Sequence, residues 1–142
     1  MFLLDTNVLS EIRRPSQADA NVLRWIAAAP RRAQHVSVIT ILELREGAIR
    51  KGRRDATQGD MLQRWIASKV LPEFAARILD IDLTVAEACA GLIVPDPKPF
   101  RDALIAATAL VHRLSVITRN VRDFDAMGVQ IINPWEPQPD LG

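Results

Sequence analysis

Short apolar runs separated by longer segments of helical periodicity are the feature that most constrains the fold of this chain. Five such runs occur, at residues 2–4, 36–39, 78–81, 116–117 and 129–132. They lack an alternation of apolar and polar residues, which is typical of strands that are covered on both faces. Strands that alternate with helices form a parallel sheet between two helical layers. The sequence therefore predicts a three-layer α/β/α fold with a central parallel sheet of four to five strands.

The chain has the length and the apolar content of one domain. Its 142 residues are 49% hydrophobic, so we expect a single domain over residues 1–142 with a sizeable core. An apolar helix is expected over residues 100–110, and a frayed tail over residues 136–142. Helix boundaries are expected where prolines or polar residues interrupt the pattern: at Pro15, residues 28–30, residues 52–55, Pro72 and residues 95–99.

Cysteine use and hydropathy bear on the compartment. Cys89 is the single cysteine, which excludes an intramolecular disulfide framework, and its alanine-rich surroundings predict a small buried side chain. His35 and His112 lie far apart and near no cysteine, so they are expected to be a loop residue and a helix C-terminal residue rather than zinc ligands. The sequence shows no membrane-spanning stretch and no signal peptide. We therefore expect a soluble, cytoplasmic protein that contacts no membrane.

The charge of the chain is balanced overall but uneven along it. The net charge of +1 does not by itself indicate nucleic-acid binding. Between Ala20 and Arg54, however, eight arginine and lysine residues stand against two glutamates. A basic cluster of this kind suits a polyanion, although solvated helix faces would give the same pattern.

Acidic residues follow three of the predicted strands. Asp5 comes directly after the first run, Glu43 follows the second within the predicted first helical turn, and Asp123 follows the fourth. Each also has a helix-capping explanation. Asp5 can cap the helix that follows it, Thr40 and Glu43 have the spacing of a capping box, and Asn120 is a typical cap three residues before Asp123.

Asp102 reaches the same region by another route, in the first turn of the helix that follows the proline-rich loop. An interaction with the helix dipole would also explain it. Capping accounts for each acid separately but not for their convergence, because the carboxyl ends of parallel strands meet at one sheet edge. Carboxylates gathered there repel one another unless a cation is present, and with retained waters they suit Mg²⁺ or Mn²⁺.

With these motifs the chain resembles the PIN-domain ribonucleases, and among them the VapC toxins of bacterial toxin–antitoxin pairs, in particular the FitB-like branch. The resemblance covers nearly the whole chain. Five segments in family order carry it: LDTNV at residues 4–8, SVITILELREG at residues 37–47, DALIAATA at residues 102–109, TRNVRDF at residues 118–124 and NPW at residues 133–135.

The resemblance implies an acidic metal site made of Asp5, Glu43 and Asp102, with Asp5 and Asp102 as the metal ligands. Many family members carry a further Asp where this chain has Asn120. Asn120 could support the site by binding the metal through its side-chain carbonyl or by positioning water, but an amide cannot supply negative charge. We therefore expect Asp123 to compensate as the fourth catalytic acid.

Two threonines beside these acids are expected to support the site. Thr6 and Thr118 could orient carboxylates or a phosphate oxygen through their hydroxyls, although both also suit helix capping.

The function implied by the resemblance is metal-dependent endonucleolytic hydrolysis of single-stranded or loop RNA. The implied partners are a second copy of the chain and a VapB-like antitoxin that covers the acidic crevice, where an antitoxin arginine could replace the metal. Two alternatives stay open. The departure at Asn120 could leave a weak or inactive PIN-like module that binds RNA or protein. A phosphatase with Asp5 as nucleophile would need a second Asp where the chain has Asn7.

Overall fold

The computed structural model describes residues 1–139, and a five-stranded parallel sheet lies at its centre. The sheet order is β3-β2-β1-β4-β5, and every neighbouring pair is parallel. The predicted parallel sheet of four to five strands is therefore confirmed. The strands are β1 (Phe2–Leu4), β2 (Gln34–Ser37), β3 (Ile78–Leu79), β4 (Ser115–Ile117) and β5 (Ile131–Ile132).

Helices connect the strands, and within the described residues none is both long and apolar enough to cross a membrane. The predicted apolar helix is present and ends at His112, which lies in its last turn as expected. The α-helices are α1 (Thr6–Ile12), α2 (Ala20–Ala28), α3 (Val38–Arg54), α4 (Ala56–Trp65), α5 (Leu71–Phe74), α6 (Leu83–Ile93), α7 (Phe100–His112) and α8 (Val121–Asp125).

Two apolar layers cover the sheet. Successive residues of a strand point to opposite faces. Leu3 accordingly packs with side chains of α6, α7 and α8, whereas Leu4 packs with side chains of α1 to α5. Cys89 is buried in the first of these layers, as predicted. The three-layer α/β/α prediction is confirmed.

The strand order places a crevice between β1 and β4. The chain builds β1, β2 and β3 toward one edge and then returns to add β4 on the other side of β1. Ligands of open α/β sheets bind at such a reversal, beyond the carboxyl ends of the strands. Asp5 follows β1 there, and Thr118 follows β4; the Asp5 N–H donates to the Ile117 carbonyl at 2.9 Å.

The boundary between β2 and α3 differs from the sequence prediction. The hydroxyl of Ser37 accepts a hydrogen bond from the Ile39 N–H at 3.0 Å, so the helix begins at residue 38, inside the predicted strand. The predicted capping box of Thr40 and Glu43 is therefore wrong. Glu43 lies in the second helical turn. His35 lies in β2 rather than in a loop.

The helix break predicted at Pro72 is also wrong. A π-helical turn over Ile66–Val70 joins α4 to α5, and Pro72 lies in the first turn of α5. Proline lacks an N–H, so it is tolerated where the regular hydrogen-bond ladder is already shifted.

The predicted frayed tail lies partly within the described residues. The Gln138 side-chain amide donates to the carbonyls of Asn133 at 2.9 Å and Glu136 at 3.0 Å, so the tail is folded back on itself at Gln138. Residues 140–142 lie outside the described residues.

Candidate active site at the carboxyl edge of the sheet

Asp5 is almost fully buried at the crevice, with 4% of its surface exposed. Its Oδ1 accepts from the Thr6 N–H at 2.8 Å, and its Oδ2 accepts from the Thr118 hydroxyl at 2.7 Å and from the Asn7 amide at 3.2 Å. Burial raises the pKa of Asp5, and the bonds from Thr118, Thr6 and Asn7 oppose that rise. Asp5 therefore both caps α1 and presents a carboxylate to the crevice.

Thr118 connects the acid to the turn after β4. It is fully buried, and besides donating to Asp5 its hydroxyl oxygen accepts from the Asn120 N–H at 3.0 Å. The hydroxyl therefore orients a carboxylate and closes the turn before α8, whose N-cap position is Asn120 rather than Thr118.

Asn7 is a site residue that sequence reasoning missed. Its amide donates to Asp5 and to the Thr118 hydroxyl, the latter at 3.2 Å, and its carbonyl oxygen accepts from the Arg119 N–H at 3.3 Å. The side chain therefore ties α1 to the turn after β4. Its position two residues after Asp5 was the available signal.

Glu43 reaches the crevice from α3. The Thr6 hydroxyl donates to Glu43 Oε1 at 2.7 Å. On its other side, Arg101 lies 3.9 Å from Glu43 Oε2 and pairs at 2.6 Å with Glu46. Thr6 therefore orients a carboxylate, and Arg101 offsets part of the negative charge.

The pKa of Asp102 reflects both its burial and the negative charge of the crevice. Burial is the largest cause that raises its pKa from 3.8 to about 6, and the charges of Asp5, Asp123 and Glu43 add to the rise. The carboxylates of Asp5, Glu43 and Asp123 thus act on Asp102 from three other segments of the chain, and their repulsion adds to the effect of burial.

Asn120 and Asp123 take different positions. Asn120 lines the crevice and occupies the N-cap position of α8, where its side chain makes no capping bond with the described residues. The prediction of Asn120 as a side-chain cap is wrong. Asp123 is exposed in the first turn of α8 and acts on Asp102 through its charge. Whether Asp123 compensates for Asn120 stays a prediction.

The acids face an open cleft with a volume of about 460 Å³. Sequence reasoning named Arg119 and Trp135 only as parts of motifs, yet both line this cleft, and the Arg119 guanidinium carbon lies 5.3 Å from the centre of the Trp135 ring. The lining residues are Asp5, Thr6, Asn7, Ser10, Glu11, Glu43, Asp102, Arg119, Asn120 and Trp135.

The donor set fits a hydrated divalent cation held by two carboxylates. Within residues 1–139, no three Asp, Glu, His or Cys side chains are grouped to hold one ion together. Asp5 and Asp102 supply hard oxygen donors, and the repulsion at Asp102 is what a cation would relieve. Mg²⁺ commonly binds through one or two carboxylates and keeps waters or phosphate oxygens as its other ligands.

A cluster of carboxylates at the reversal point of a parallel sheet defines the class: an α/β protein with an acidic, cation-attracting cleft. Comparison with known families identifies the family within this class. The chain belongs to the PIN domain family, whose profile matches residues 2–129. The family predicted from the sequence is confirmed.

Similar proteins match along nearly the full chain. A VapC ribonuclease named Y4jK from Sinorhizobium fredii is 38% identical over 96% of this chain and 99% of its own length. Toxin FitB from Neisseria gonorrhoeae is 37% identical over 95% of this chain and 99% of its own length. The crystal structure of FitAcB from Neisseria gonorrhoeae superposes with a TM-score of 0.84 at 36% identity, covering 95% of this chain and 99% of that one.

Proposed function

We propose that this protein is a metal-dependent endoribonuclease that hydrolyses phosphodiester bonds in single-stranded or loop RNA as the toxin of a toxin–antitoxin pair. The observation that supports it most strongly is the convergence of Asp5, Glu43 and Asp102 in one open cleft, where burial and then the charges of neighbouring carboxylates raise the pKa of Asp102 to about 6. The similarity to a protein named as a ribonuclease and to one named as a toxin supports the same conclusion.

In this proposal Asp5 and Asp102 hold Mg²⁺ or Mn²⁺. A divalent cation bound there would lower the pKa of a water molecule and neutralise charge on the phosphate. Asp5 is fixed for this role by three hydrogen-bond donors, so its carboxylate is oriented before a cation arrives. Asp102 is less constrained, and its raised pKa makes the cation compete with a proton.

Glu43 and Asp123 hold waters at the margins of the site. Glu43 keeps Oε1 bonded to Thr6, and Oε2, which lies 3.9 Å from Arg101, can accept a hydrogen bond from a water. Asp123, exposed in α8, adds negative charge where Asn120 adds none.

The same acidity suits a protein inhibitor. We propose that a VapB-like antitoxin inserts an arginine into the cleft, because a planar guanidinium pairs with clustered carboxylates in place of a cation. We further propose that the chain acts as a homodimer in the cytoplasm. Light scattering after gel filtration tests the dimer.

Substitution of the two proposed ligands tests the activity. Asp5→Asn and Asp102→Asn should each lower the rate of RNA cleavage by at least about 100-fold, since each removes part of the cation's coordination. EDTA should abolish cleavage by the unaltered protein, and Mg²⁺ or Mn²⁺ should restore it. Fragment lengths on denaturing gels provide the measurement.

Asp60→Asn is the matched control, because Asp60 is an exposed aspartate on α4. Its cleavage rate should equal that of the unaltered protein. Cleavage that survives both ligand substitutions contradicts the proposal. RNA binding with no cleavage in any cation would instead favour a non-catalytic binding module.

A further inference from the structure

The pair formed by Arg119 and Trp135 is the part of the cleft that the metal chemistry does not use. The guanidinium carbon of Arg119 lies 5.3 Å from the centre of the Trp135 ring, and both residues line the same cleft as Asp5 and Asp102. Among the described lining residues, Trp135 supplies the aromatic ring and Arg119 the positive charge. The cleft that holds the acids therefore also carries one cationic and aromatic surface.

The Trp135 side of this surface is fixed to the body of the protein. The backbone N–H of Trp135 donates to Asn133 Oδ1 at 3.0 Å, and its backbone carbonyl accepts from the Asn21 side-chain amide on α2 at 2.8 Å. The half-buried ring also packs against the apolar layer that contains Leu4. A tryptophan held in this way is a rigid support rather than a mobile surface residue.

The Arg119 side is connected to the acids. Its backbone N–H donates to Asn7, and the Asn7 amide donates to Asp5 Oδ2. One asparagine thus sets the position of Arg119 relative to the proposed metal ligand. Arg119 itself is exposed, so the face of the guanidinium that points away from Trp135 is accessible from the cleft.

We propose that Arg119, which lies over the Trp135 ring, is the stacking platform for one unpaired base of the RNA beside the bond that is cut. Unpaired bases stack on aromatic rings and on guanidinium planes, and this contact selects single strands over duplexes because bases inside a duplex are already stacked on their neighbours. The inference rests on the proposed ribonuclease function and specifies how its substrate is held.

Binding to two RNA strands distinguishes base stacking from attraction to the charged backbone. One is a 12-nucleotide single strand, and the other has the same ribose–phosphate backbone without bases. Binding of both is measured by fluorescence anisotropy in EDTA, so that no cleavage occurs. Arg119→Lys keeps the positive charge but removes the planar guanidinium group on which a base could stack. It should bind the strand with bases about tenfold more weakly while keeping its affinity for the strand without bases.

Variants at Trp135 test whether its ring supports the Arg119 guanidinium. Trp135→Leu should lose the same preference for bases, and Trp135→Phe should keep most of it because a flat ring remains. If Trp135→Leu does not fold, the binding of Arg119→Lys to the two strands still tests the proposal. Arg32→Ala removes an exposed arginine before β2, at the opposite end of the sheet, and should leave the preference unchanged.

If Arg119→Lys binds both strands as the unaltered protein does, Arg119 contacts phosphate only and the proposal is wrong. This result is distinguishable from a failure of the ribonuclease proposal. A protein that prefers bases through Arg119 but never cleaves refutes the activity alone, whereas one that cleaves without this preference refutes the platform alone. Absence of any RNA binding refutes both.

Discussion

At the scale of single residues, the site depends on how a nearly buried carboxylate is stabilised. Burial raises the pKa of Asp5, three donors oppose that rise by stabilising the carboxylate, and the Thr118 hydroxyl is the closest of them at 2.7 Å. A buried charge that loses such a donor keeps its desolvation cost. The hydroxyl of Thr118 is therefore as necessary to the proposed cation site as the carboxylate that it orients.

Thr118→Val tests this dependence, because valine has nearly the same shape and lacks the hydroxyl. We expect a loss of about 1–3 kcal/mol in the free energy of unfolding, together with slower RNA cleavage at neutral pH. Thr118→Ser keeps the donor and should restore most of both. Urea denaturation gives the stability, and equal stabilities for the valine and serine variants would contradict the role assigned to the hydroxyl.

Sequence reasoning found the acids but not their supports. Asp5, Glu43 and Asp102 were predictable because carboxylates after apolar runs stand out in the sequence and because strand ends share an edge. Asn7 and Arg119 were not, because their roles depend on a contact between segments more than a hundred residues apart. Residue type alone gives no such pairing.

At the scale of elements, α3 and α4 form a tightly packed pair that carries Glu43. A Cβ atom added to Gly59 would lie 2.3 Å from the Gly52 Cα and 2.8 Å from its nitrogen. These are backbone atoms that cannot rotate away. The two glycines therefore set how closely the helices approach.

Gly59→Ala should consequently destabilise the protein even though alanine favours helices. Overpacking of this kind typically costs about 1–3 kcal/mol. Gly91→Ala on α6 is the matched control: a Cβ there meets open space, so we expect a gain of up to about 1 kcal/mol. Thermal unfolding followed by circular dichroism compares the two. A Gly59→Ala variant as stable as the Gly91→Ala variant would contradict the close approach.

The existence of these elements was predictable, and their ends were less so. Apolar runs and helical periodicity identified all five strand regions, but Ser37 rather than Thr40 begins α3 because its hydroxyl reaches the Ile39 N–H. Likewise Pro72 did not end a helix, since the π turn before it had already shifted the hydrogen bonds. Both outcomes depend on local backbone geometry, which residue type alone does not determine when several nearby residues could begin or end a helix.

At the scale of the whole molecule, the gathered negative charge links stability to pH and to cations. The pKa of Asp102 is raised from 3.8 to about 6 in the folded chain, so between these values the folded state binds a proton that the unfolded state releases. This group's contribution to stability is therefore favourable at low pH and is lost as the pH rises through about 6.

Asp102→Asn isolates that contribution. In EDTA at pH 7.5 the variant should melt at a higher temperature than the unaltered protein, and the difference should shrink as the pH falls from about 7 to about 5. Mg²⁺ at pH 7.5 should raise the melting temperature of the unaltered protein and have little effect on the variant. A difference in melting temperature that is independent of pH would show that repulsion at Asp102 is not responsible.

The position of β4 beside β1 has a consequence for synthesis of the chain. Asp5 is made among the first residues, but the Thr118 hydroxyl that orients it arrives with the segment that follows β4. A growing chain that stops before residue 118 therefore has the first acid without its principal donor. A ribosome that makes a ribonuclease of this design therefore meets an assembled site only late in translation.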